Sequence, residues 1–459
     1  MRQTTAVGLT LLALAARLPA DDWPQFRGPG GAGVSVETKL PVEWDGQKNI
    51  TWRADVPGTG LSSPVVVGDR VFVTTAVPDG KPKDGDPKTA DGQRSSLRGR
   101  DEFTGRTPNV NMQWCVYCLD RATGKTLWHK TALEGRPRTP IQSGNSYATE
   151  TPIADGDRVY AFFGNHGLFC YSVAGELLWK KDFGAFATAQ GQGTASSPAF
   201  DGERVFLQID NEEKSFVVAV SGRTGDEVWR TPRDERTNYS SPILWKNTAR
   251  TELVTSGGNK VRSYDPATGK ALWELNLGGG RCPASPVGDD ERLYVGGGGG
   301  GPGGPGRPGG GRGGRGGLFA VRAGASGDIT LKDGKSSSEG VAWSQPRGDL
   351  EMASPLAYQG YLYVASQTGG LLTCLDAKTG KQLYRERLSN AQNFWASPWA
   401  GEGRVFCLDS AGTTHVIKAG PEFDTVGQNR LKDKCWATPA VAGGAVLIRG
   451  ANTLYSIKP

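Results

Sequence analysis

Apolar and polar residues alternate along this chain in short runs, and many of the runs begin in the same way. A Ser or Thr followed by Pro opens each unit, a turn rich in Gly and Asp follows, and a second apolar run completes it, as in SSPVVVGDRVFV (62–73) and SSPAFDGERVFL (196–207). Alternation with a period of two predicts β-strands with one buried face. The prolines of these units lie at positions 64, 152, 198, 242, 286, 355, 398 and 439.

A second pattern occurs between these units and predicts a hairpin. It reads Asp or Ser, two residues, Thr-Gly, three residues and an aromatic, as in DRATGKTLW (120–128), DPATGKALW (265–273) and DAKTGKQLY (376–384). The acidic side chain can accept hydrogen bonds from the turn, and Gly allows a positive φ there. The aromatic residue then lies on the next strand, where we expect it to be buried.

The spacing of the prolines indicates repeated units. Most intervals are 41–46 residues, and two are longer, at 88 and 69 residues. We attribute the long intervals to insertions at 77–111, which is rich in charged residues, and at 296–317, which is rich in Gly and Arg. Both are predicted to be disordered, because such compositions cannot bury a core. A period of about 40–45 residues with several strands per unit is typical of a β-propeller.

The last unit is too short to form a complete blade. Only 23 residues remain from Ala437 to Pro459, which is enough for three short strands. The segment 49–56 contains Trp52 in a strand-like pattern and precedes the first unit. Pairing this segment with the last unit would remove two free sheet edges. The sequence therefore predicts an all-β fold over 49–459: an eight-bladed β-propeller of four-stranded antiparallel blades, closed by an N-terminal strand in the last blade.

The N-terminal region has the features of an export signal. Residues 1–20 contain one early Arg, an apolar run and small residues, which is typical of a signal peptide with an ambiguous cleavage point. A membrane anchor is the competing interpretation. Residues 21–48 form a lead-in to the propeller, and no later segment has the length of a membrane span. We expect a periplasmic or secreted monomer, compatible with association at an envelope surface.

Composition and charge change this picture little. Gly is abundant, with 67 residues, as expected for many turns. The formal net charge of +6 includes five arginines in the N-terminal segment and in the Gly/Arg-rich insertion, which leaves +1 for the remainder. A nearly neutral body gives no electrostatic reason to expect a nucleic-acid partner.

The two patterns together resemble the pyrroloquinoline-quinone-like (PQQ-like) β-propeller repeat over most of residues 44–459. The resemblance implies one of two activities. Quinoprotein dehydrogenases of this superfamily hold the quinone and Ca²⁺ in the central funnel, whereas the non-enzymatic BamB-like members use the ring as a docking platform. The chain is closest in type to the BamB-like members.

The residues that could carry chemistry do not form a recognisable set. The sequence contains no adjacent Cys pair and no C-x-x-C-H haem site. Cys115 and Cys118 are three residues apart on a predicted strand, so they face opposite sides and are not expected to pair. We interpret the cysteines as small buried residues. His129, His166 and His415 lie in different repeats, so neither a metal site nor a cofactor is predicted.

The best candidates for a binding site precede the Ser/Thr-Pro segments, which are expected to converge at the mouth of the funnel. These candidates are Tyr147, Glu150, Asn238, Tyr239, Arg281, Glu351, Trp395 and Trp436. Aromatic and charged side chains of this kind could hold a small ligand or peptide. The alternative is that they only fill the channel.

The sequence therefore favours an exported, non-catalytic scaffold that binds a protein partner or assists assembly. The alternative is a PQQ- and Ca²⁺-dependent dehydrogenase that oxidises an alcohol or a sugar. A carbohydrate-binding module is a third possibility, compatible with the aromatic residues but without a positive marker.

Overall fold

The computed structural model describes residues 22–79, 105–278, 283–296, 316–332 and 334–459. It confirms the all-β prediction: eight sheets are arranged as blades around a central axis. The predicted signal peptide lies outside the described residues, as do 80–104 and 297–315, the central parts of the two predicted insertions. Within the described residues, no helix is long and apolar enough to cross a membrane.

Each blade is antiparallel and runs from an inner strand near the axis to an outer strand. The first strand, β1 (Ile50–Asp55), belongs to blade 8, as described below. Blade 1 contains β2 (Val65–Val67), β3 (Arg70–Pro78), β4 (Met112–Asp120) and β5 (Thr126–Gly135). Blade 2 contains β6 (Ile153–Ala154), β7 (Arg158–Phe162), β8 (Leu168–Ser172) and β9 (Leu177–Lys181), and blade 3 contains β10 (Ala199–Phe200), β11 (Arg204–Ile209), β12 (Phe216–Ser221) and β13 (Glu227–Pro232).

The remaining blades follow the same order. Blade 4 contains β14 (Ile243–Lys246), β15 (Thr251–Ser256), β16 (Lys260–Tyr264) and β17 (Ala271–Asn276), and blade 5 contains β18 (Val287–Gly288), β19 (Arg292–Gly296), β20 (Leu318–Arg322) and β22 (Val341–Gln345). The short β21 (Gly327–Asp328) pairs in parallel with β17 and so extends blade 4. Blade 6 contains β23 (Leu356–Tyr358), β24 (Tyr361–Ala365), β25 (Leu371–Asp376) and β26 (Gln382–Arg387).

Blade 7 contains β27 (Trp399–Gly401), β28 (Arg404–Leu408), β29 (Thr413–Lys418) and β30 (Thr425–Arg430). Blade 8 contains β31 (Ala440–Ala442), β32 (Ala445–Arg449) and β33 (Thr453–Ile457), with β1 as its outer strand. In every blade, the predicted Ser/Thr-Pro segment leads into the inner strand. Proline is tolerated at this position because a residue at the start of a strand need not donate its backbone N–H to a neighbouring strand.

The ring closes as predicted. β1 pairs antiparallel with β33, with Arg53 opposite Tyr455, so the first strand of the chain completes the last blade. Trp52 on β1 lies against blade 1, where its Nε1 donates to the carbonyl oxygen of Arg121 at 2.9 Å. The closing strand therefore contributes both backbone pairing within blade 8 and a side chain that packs against blade 1.

The Thr-Gly turn joins neighbouring blades. In the turn of blade 1, the Asp120 carboxylate accepts a hydrogen bond from the Thr123 N–H at 2.8 Å, as the pattern predicts. Gly124 has φ 71°, and a Cβ on it would lie 2.5 Å from the ring of Trp52. Glycine is thus required at position 124 for two reasons: the turn needs a positive φ, and the Trp52 indole leaves no room for a Cβ. The same contact joins Trp343 of blade 5 to Gly380 of blade 6.

Blade 4 departs from this rule. The indole Nε1 of Trp273 donates to the Glu252 carboxylate of the same blade at 2.6 Å. Blade 5 lacks an intact Thr-Gly turn to receive the indole. Instead, Ala325 and Ile329, which flank β21, pack in the same apolar cluster as Trp273.

Candidate functional site

A ring of hydroxyl groups surrounds the axis at the start of the inner strands. We call it the hydroxyl belt; its members are Ser63, Thr151, Ser197, Ser241, Ser285, Ser354, Ser397 and Thr438. Seven bonds of 2.9–3.0 Å run from blade 1 through to blade 8, each from the backbone N–H of one member to the hydroxyl of the member in the next blade. The Ser or Thr of the repeated dipeptide therefore links blades, a role that the sequence pattern alone did not indicate.

The N-terminal lead-in crosses the axis. Trp23 exchanges two backbone hydrogen bonds with Val66 on the inner strand of blade 1. Further along, the carbonyl oxygen of Gly33 accepts from the Ala400 N–H at 2.9 Å, on the inner strand of blade 7. Between these two contacts, Arg27 reaches blade 6, where its Nη2 donates to the carbonyl oxygen of Pro355 at 2.7 Å. The lead-in thus occupies the central channel beside the hydroxyl belt.

The predicted funnel-mouth residues differ in what their side chains contact. Tyr147 lies in the apolar core between blades 1 and 2, and its hydroxyl donates to the carbonyl oxygen of Thr139 at 2.8 Å. Asn238 is buried, and its Nδ2 donates to the carbonyl oxygen of Ser256 at 2.6 Å. The hydroxyl of Tyr239 donates to Gln192 at 2.8 Å. These three side chains are engaged within the protein.

The other candidates differ in their exposure. Trp395 and Trp436 are half-buried and adjacent, with ring centroids 5.8 Å apart. Glu351 is also half-buried. Glu150 is buried, with only 1% of its surface exposed. Arg281 lies outside the described residues.

Burial determines the protonation of Glu150. Removal from solvent raises the pKa of its carboxyl group to about 7, because a low-dielectric environment disfavours the charged form. In the unfolded chain the same group ionises near pH 4.5. Between pH 4.5 and about pH 7, the folded protein therefore keeps a proton on Glu150 that the unfolded chain has lost.

This difference predicts a pH-dependent loss of stability. The contribution of Glu150 to the free energy of unfolding should fall as the pH rises from about 4.5 to about 7, by about 3 kcal/mol in total. Buried His166, whose pKa is lowered to about 4, acts in the opposite direction below about pH 6.5, so the effect is read from the difference between wild type and Glu150→Gln. Glu150→Gln should remove this contribution and make the protein more stable than wild type at pH 8. Urea unfolding across pH 5–8 measures it, with the exposed Glu134→Gln as the control. A difference in stability between wild type and Glu150→Gln that does not change over this range would contradict the prediction.

The cavity beside Asn238 is small. It has a volume of about 20 Å³, and its walls include Thr194, Gln208 and Asn238. That volume accommodates about one water molecule, whereas pockets for small organic ligands measure roughly 300–1,000 Å³. The side chains around Glu150 and Asn238 therefore do not fit a quinone.

A larger cleft lies between loops of blades 3 and 4. Its volume is about 420 Å³, and the polar residues Gln190, Glu212, Arg236 and Asn259 are part of its lining. Glu212 and Arg236 form a loose ion pair of 3.9 Å, in which the Arg side chain is 87% exposed. The cleft thus offers a weakly organised polar surface.

Two buried ion pairs hold blades 3 and 4 together. Arg233 Nε donates to Asp210 at 2.8 Å, and both side chains are fully buried. The same guanidinium donates through Nη1 to the hydroxyl of Tyr264 in blade 4 at 3.1 Å. A second pair, Arg262 with Glu235, has a separation of 2.8 Å. These groups are satisfied by one another, so we assign them to the architecture.

Cysteine and histidine take structural positions. Six cysteines are free and buried, which confirms the prediction for Cys115, Cys118, Cys170, Cys374, Cys407 and Cys435; Cys282 lies outside the described residues. Burial raises the pKa of the Cys118 thiol to about 12, which makes it a poor nucleophile. Burial also lowers the pKa of His166 to about 4, and its ring lies 4.1 Å from Trp114. No group of three or more potential metal ligands occurs among the described residues.

Comparison with known proteins gives one family. The family described as "Outer membrane protein assembly factor BamB" matches residues 113–301 and 328–421, which is more than half of the chain. Among curated proteins, the chain is 21% identical over 380 residues to a tetrathionate hydrolase from Acidithiobacillus ferrooxidans. The match covers 79% of this chain and 65% of that protein, so the chain spans just under two thirds of its relative.

Solved structures share the fold at low identity. BamB from Moraxella catarrhalis aligns with a TM-score of 0.54 and 13% identity, covering 80% of this chain and 99% of that one. A quinohemoprotein alcohol dehydrogenase from Pseudomonas putida HK5 aligns with a TM-score of 0.53 and 10% identity, covering 96% and 80%. At such identities the likeness extends to the fold alone.

Proposed function

The chain belongs to the family described as outer membrane protein assembly factor BamB, and from this premise we propose that it is an exported, non-catalytic scaffold that binds a partner protein in the periplasm or at the cell envelope. The observation that carries the proposal is a row of exposed apolar residues on the outer strands of three consecutive blades. Leu127, Leu178 and Val228 each precede the aromatic residue of the outer strand and are 49%, 44% and 48% exposed.

These residues lie on sheet edges that can accept another strand. Among the described residues, β5, β9 and β13 have no further strand paired on their outer side. An outer strand of this kind presents unpaired backbone N–H and C=O groups, and a row of apolar side chains on such an edge favours pairing with a strand from another chain.

Blade 4 illustrates this type of pairing within the chain itself. Leu272 occupies the position equivalent to Leu127 but is only partly exposed, because Ala325, Ile329 and Leu331 pack in the same cluster. β21 also bonds to the edge, with Ile329 N–H donating to the carbonyl oxygen of Glu274 at 3.0 Å. The proposed occupant of blades 1–3 is therefore an extended segment of a partner protein that carries apolar side chains.

The engagement of the funnel-mouth side chains supports a scaffold over an enzyme. Tyr147, Asn238 and Tyr239 bond to other protein groups, and the cavity beside Asn238 has room for about one water molecule. Binding at the outer edges would leave this inner architecture intact.

The test places a photo-crosslinking residue at position 178 in the full chain, exported in bacterial cells. We expect a covalent adduct with one envelope protein. The triple variant Leu127→Glu, Leu178→Glu, Val228→Glu should weaken binding of that purified partner at least tenfold, because a charge on the edge opposes apolar strand pairing.

A matched control uses the same substitution on a distant blade. Val426 on β30 is 48% exposed, like Val228, so Val426→Glu should leave binding unchanged. Equal loss in both variants, or none in the triple variant, would contradict the proposed surface. Dye reduction with an alcohol or sugar after addition of PQQ and Ca²⁺ would contradict the non-catalytic assignment.

A further inference from the structure

The Arg27 side chain has hydrogen-bond donors with no acceptor. Nη2 donates to the carbonyl oxygens of Pro355 at 2.7 Å and Ala32 at 3.2 Å. Nε and Nη1 are buried and have no partner within the described part of the chain. A guanidinium carries five N–H donors, so three of them are left without an acceptor. Unsatisfied buried donors are costly, so this environment requires something to accept from them.

No acidic side chain of the described residues compensates the charge of Arg27. Burial alone lowers the pKa of its guanidinium to about 9, without an acidic neighbour. The group is still a cation at pH 7, and its residue is only 1% exposed. An isolated charge in such surroundings is strongly unfavourable unless an opposite charge approaches it.

The backbone around Arg27 is built to hold it in place. Arg27 has φ 61°, an unfavourable value for a residue with a Cβ, and Gly28 follows with φ 70°. A Cβ on Gly33 would lie 2.9 Å from Nη2 and 3.2 Å from Nε of Arg27. Only glycine at position 33 therefore leaves room for the guanidinium. Strain of this kind is concentrated at functional positions.

We propose that the central channel binds a small inorganic anion, of the halide class, at Nε and Nη1 of Arg27. The ion would neutralise the guanidinium and accept the donors that the protein leaves free. A small ion suits a guanidinium whose residue is only 1% exposed. Since the same side chain joins the lead-in to Pro355, the anion would strengthen the attachment of the lead-in to the ring.

A second buried arginine provides the contrast. Arg449 in blade 8 is 3% exposed and also lacks an acidic neighbour. Its Nη1, however, donates to the carbonyl oxygen of Ser62 at 3.0 Å and to the hydroxyl of the same residue at 2.6 Å. None of its buried nitrogen atoms is left without a partner among the described residues. Burial alone therefore does not define an anion site; the free donors do.

The test compares sodium chloride with sodium gluconate at equal ionic strength, using the thermal unfolding of the full chain. Between 10 and 300 mM salt, we expect the melting temperature to rise by about 2–4 °C more in chloride than in gluconate. Arg27→Met should abolish this difference, whereas Arg449→Met should retain it even if the protein is less stable. Equal behaviour of wild type in the two salts, or a difference that survives in Arg27→Met, would overturn the proposal.

Crystals grown in sodium bromide provide a readout that does not depend on whether the variants fold. Anomalous scattering should give a bromide peak within about 3.5 Å of Nε or Nη1 of Arg27. A map without a peak at this position would equally overturn the proposal.

Discussion

The Trp52→Ala variant should lose about 3–5 kcal/mol of its free energy of unfolding and should open first within blade 8, where β1 pairs with β33. Trp52 is 8% exposed and lies on Gly124 of the neighbouring blade. Its removal leaves a cavity and an unpaired carbonyl oxygen at Arg121, which now accepts from the indole. The chain runs from β1 directly into β2 of blade 1, whereas only non-covalent contacts join β1 to β33 within blade 8, so β1 can separate from β33.

Hydrogen exchange followed by mass spectrometry identifies where the variant opens. Amides of β1 and β33 should exchange faster in Trp52→Ala, because their mutual pairing is the closure itself. Chemical unfolding gives the total loss of stability.

Trp179→Ala is the matched control. Trp179 makes the equivalent contact between blades 2 and 3, where its Nε1 donates to the carbonyl oxygen of Gly222 at 3.1 Å and its ring lies on Gly225. Trp179 lies on β9, which a short turn joins to its partner strand β8, so we expect a loss of stability without faster exchange in β1. Equal exchange of β1 in both variants would refute a special role for the pairing of β1 with β33.

Asp210→Ala should be nearly as damaging, at about 3–5 kcal/mol. The substitution leaves the Arg233 guanidinium buried with its charge uncompensated, since both side chains are fully buried and bond at 2.8 Å. It also removes one of the two acceptors of Gln208 Nε2, which lies 2.7 Å from the carboxylate. Urea unfolding at pH 7 measures the effect.

Two controls separate charge burial from simple loss of a contact. The double variant Asp210→Leu, Arg233→Met should recover much of the stability, because an apolar pair avoids the uncompensated charge. Glu43→Ala removes the exposed pair with Lys48, at 2.5 Å, and should change stability little, because solvent screens exposed ion pairs. A loss for Asp210→Ala no larger than that for Glu43→Ala would contradict the argument.

The candidate site was only partly accessible to sequence reasoning. Tyr147 precedes a Ser/Thr-Pro segment, like the other candidates, yet it packs between blades 1 and 2. Proximity to the dipeptide in sequence does not specify which way a side chain points. Arg27 was not among the candidates, because the sequence places it in a lead-in without a repeat to locate it. The only local signal is an arginine followed by the glycine-rich stretch Gly28 to Gly33.

The amino-acid sequence by itself determined the architecture: eight blades, their strand order and ring closure through Trp52. It could do so because turns, strand alternation and aromatic positions are local features, and repetition shows each of them several times. The tertiary structure alone decided what those features contact. The hydroxyl belt, the path of the lead-in across the axis, the uncompensated charge of Arg27 and the covered edge of blade 4 depend on residues far apart in the chain. Long-range packing and burial set these contacts, and no local pattern encodes them.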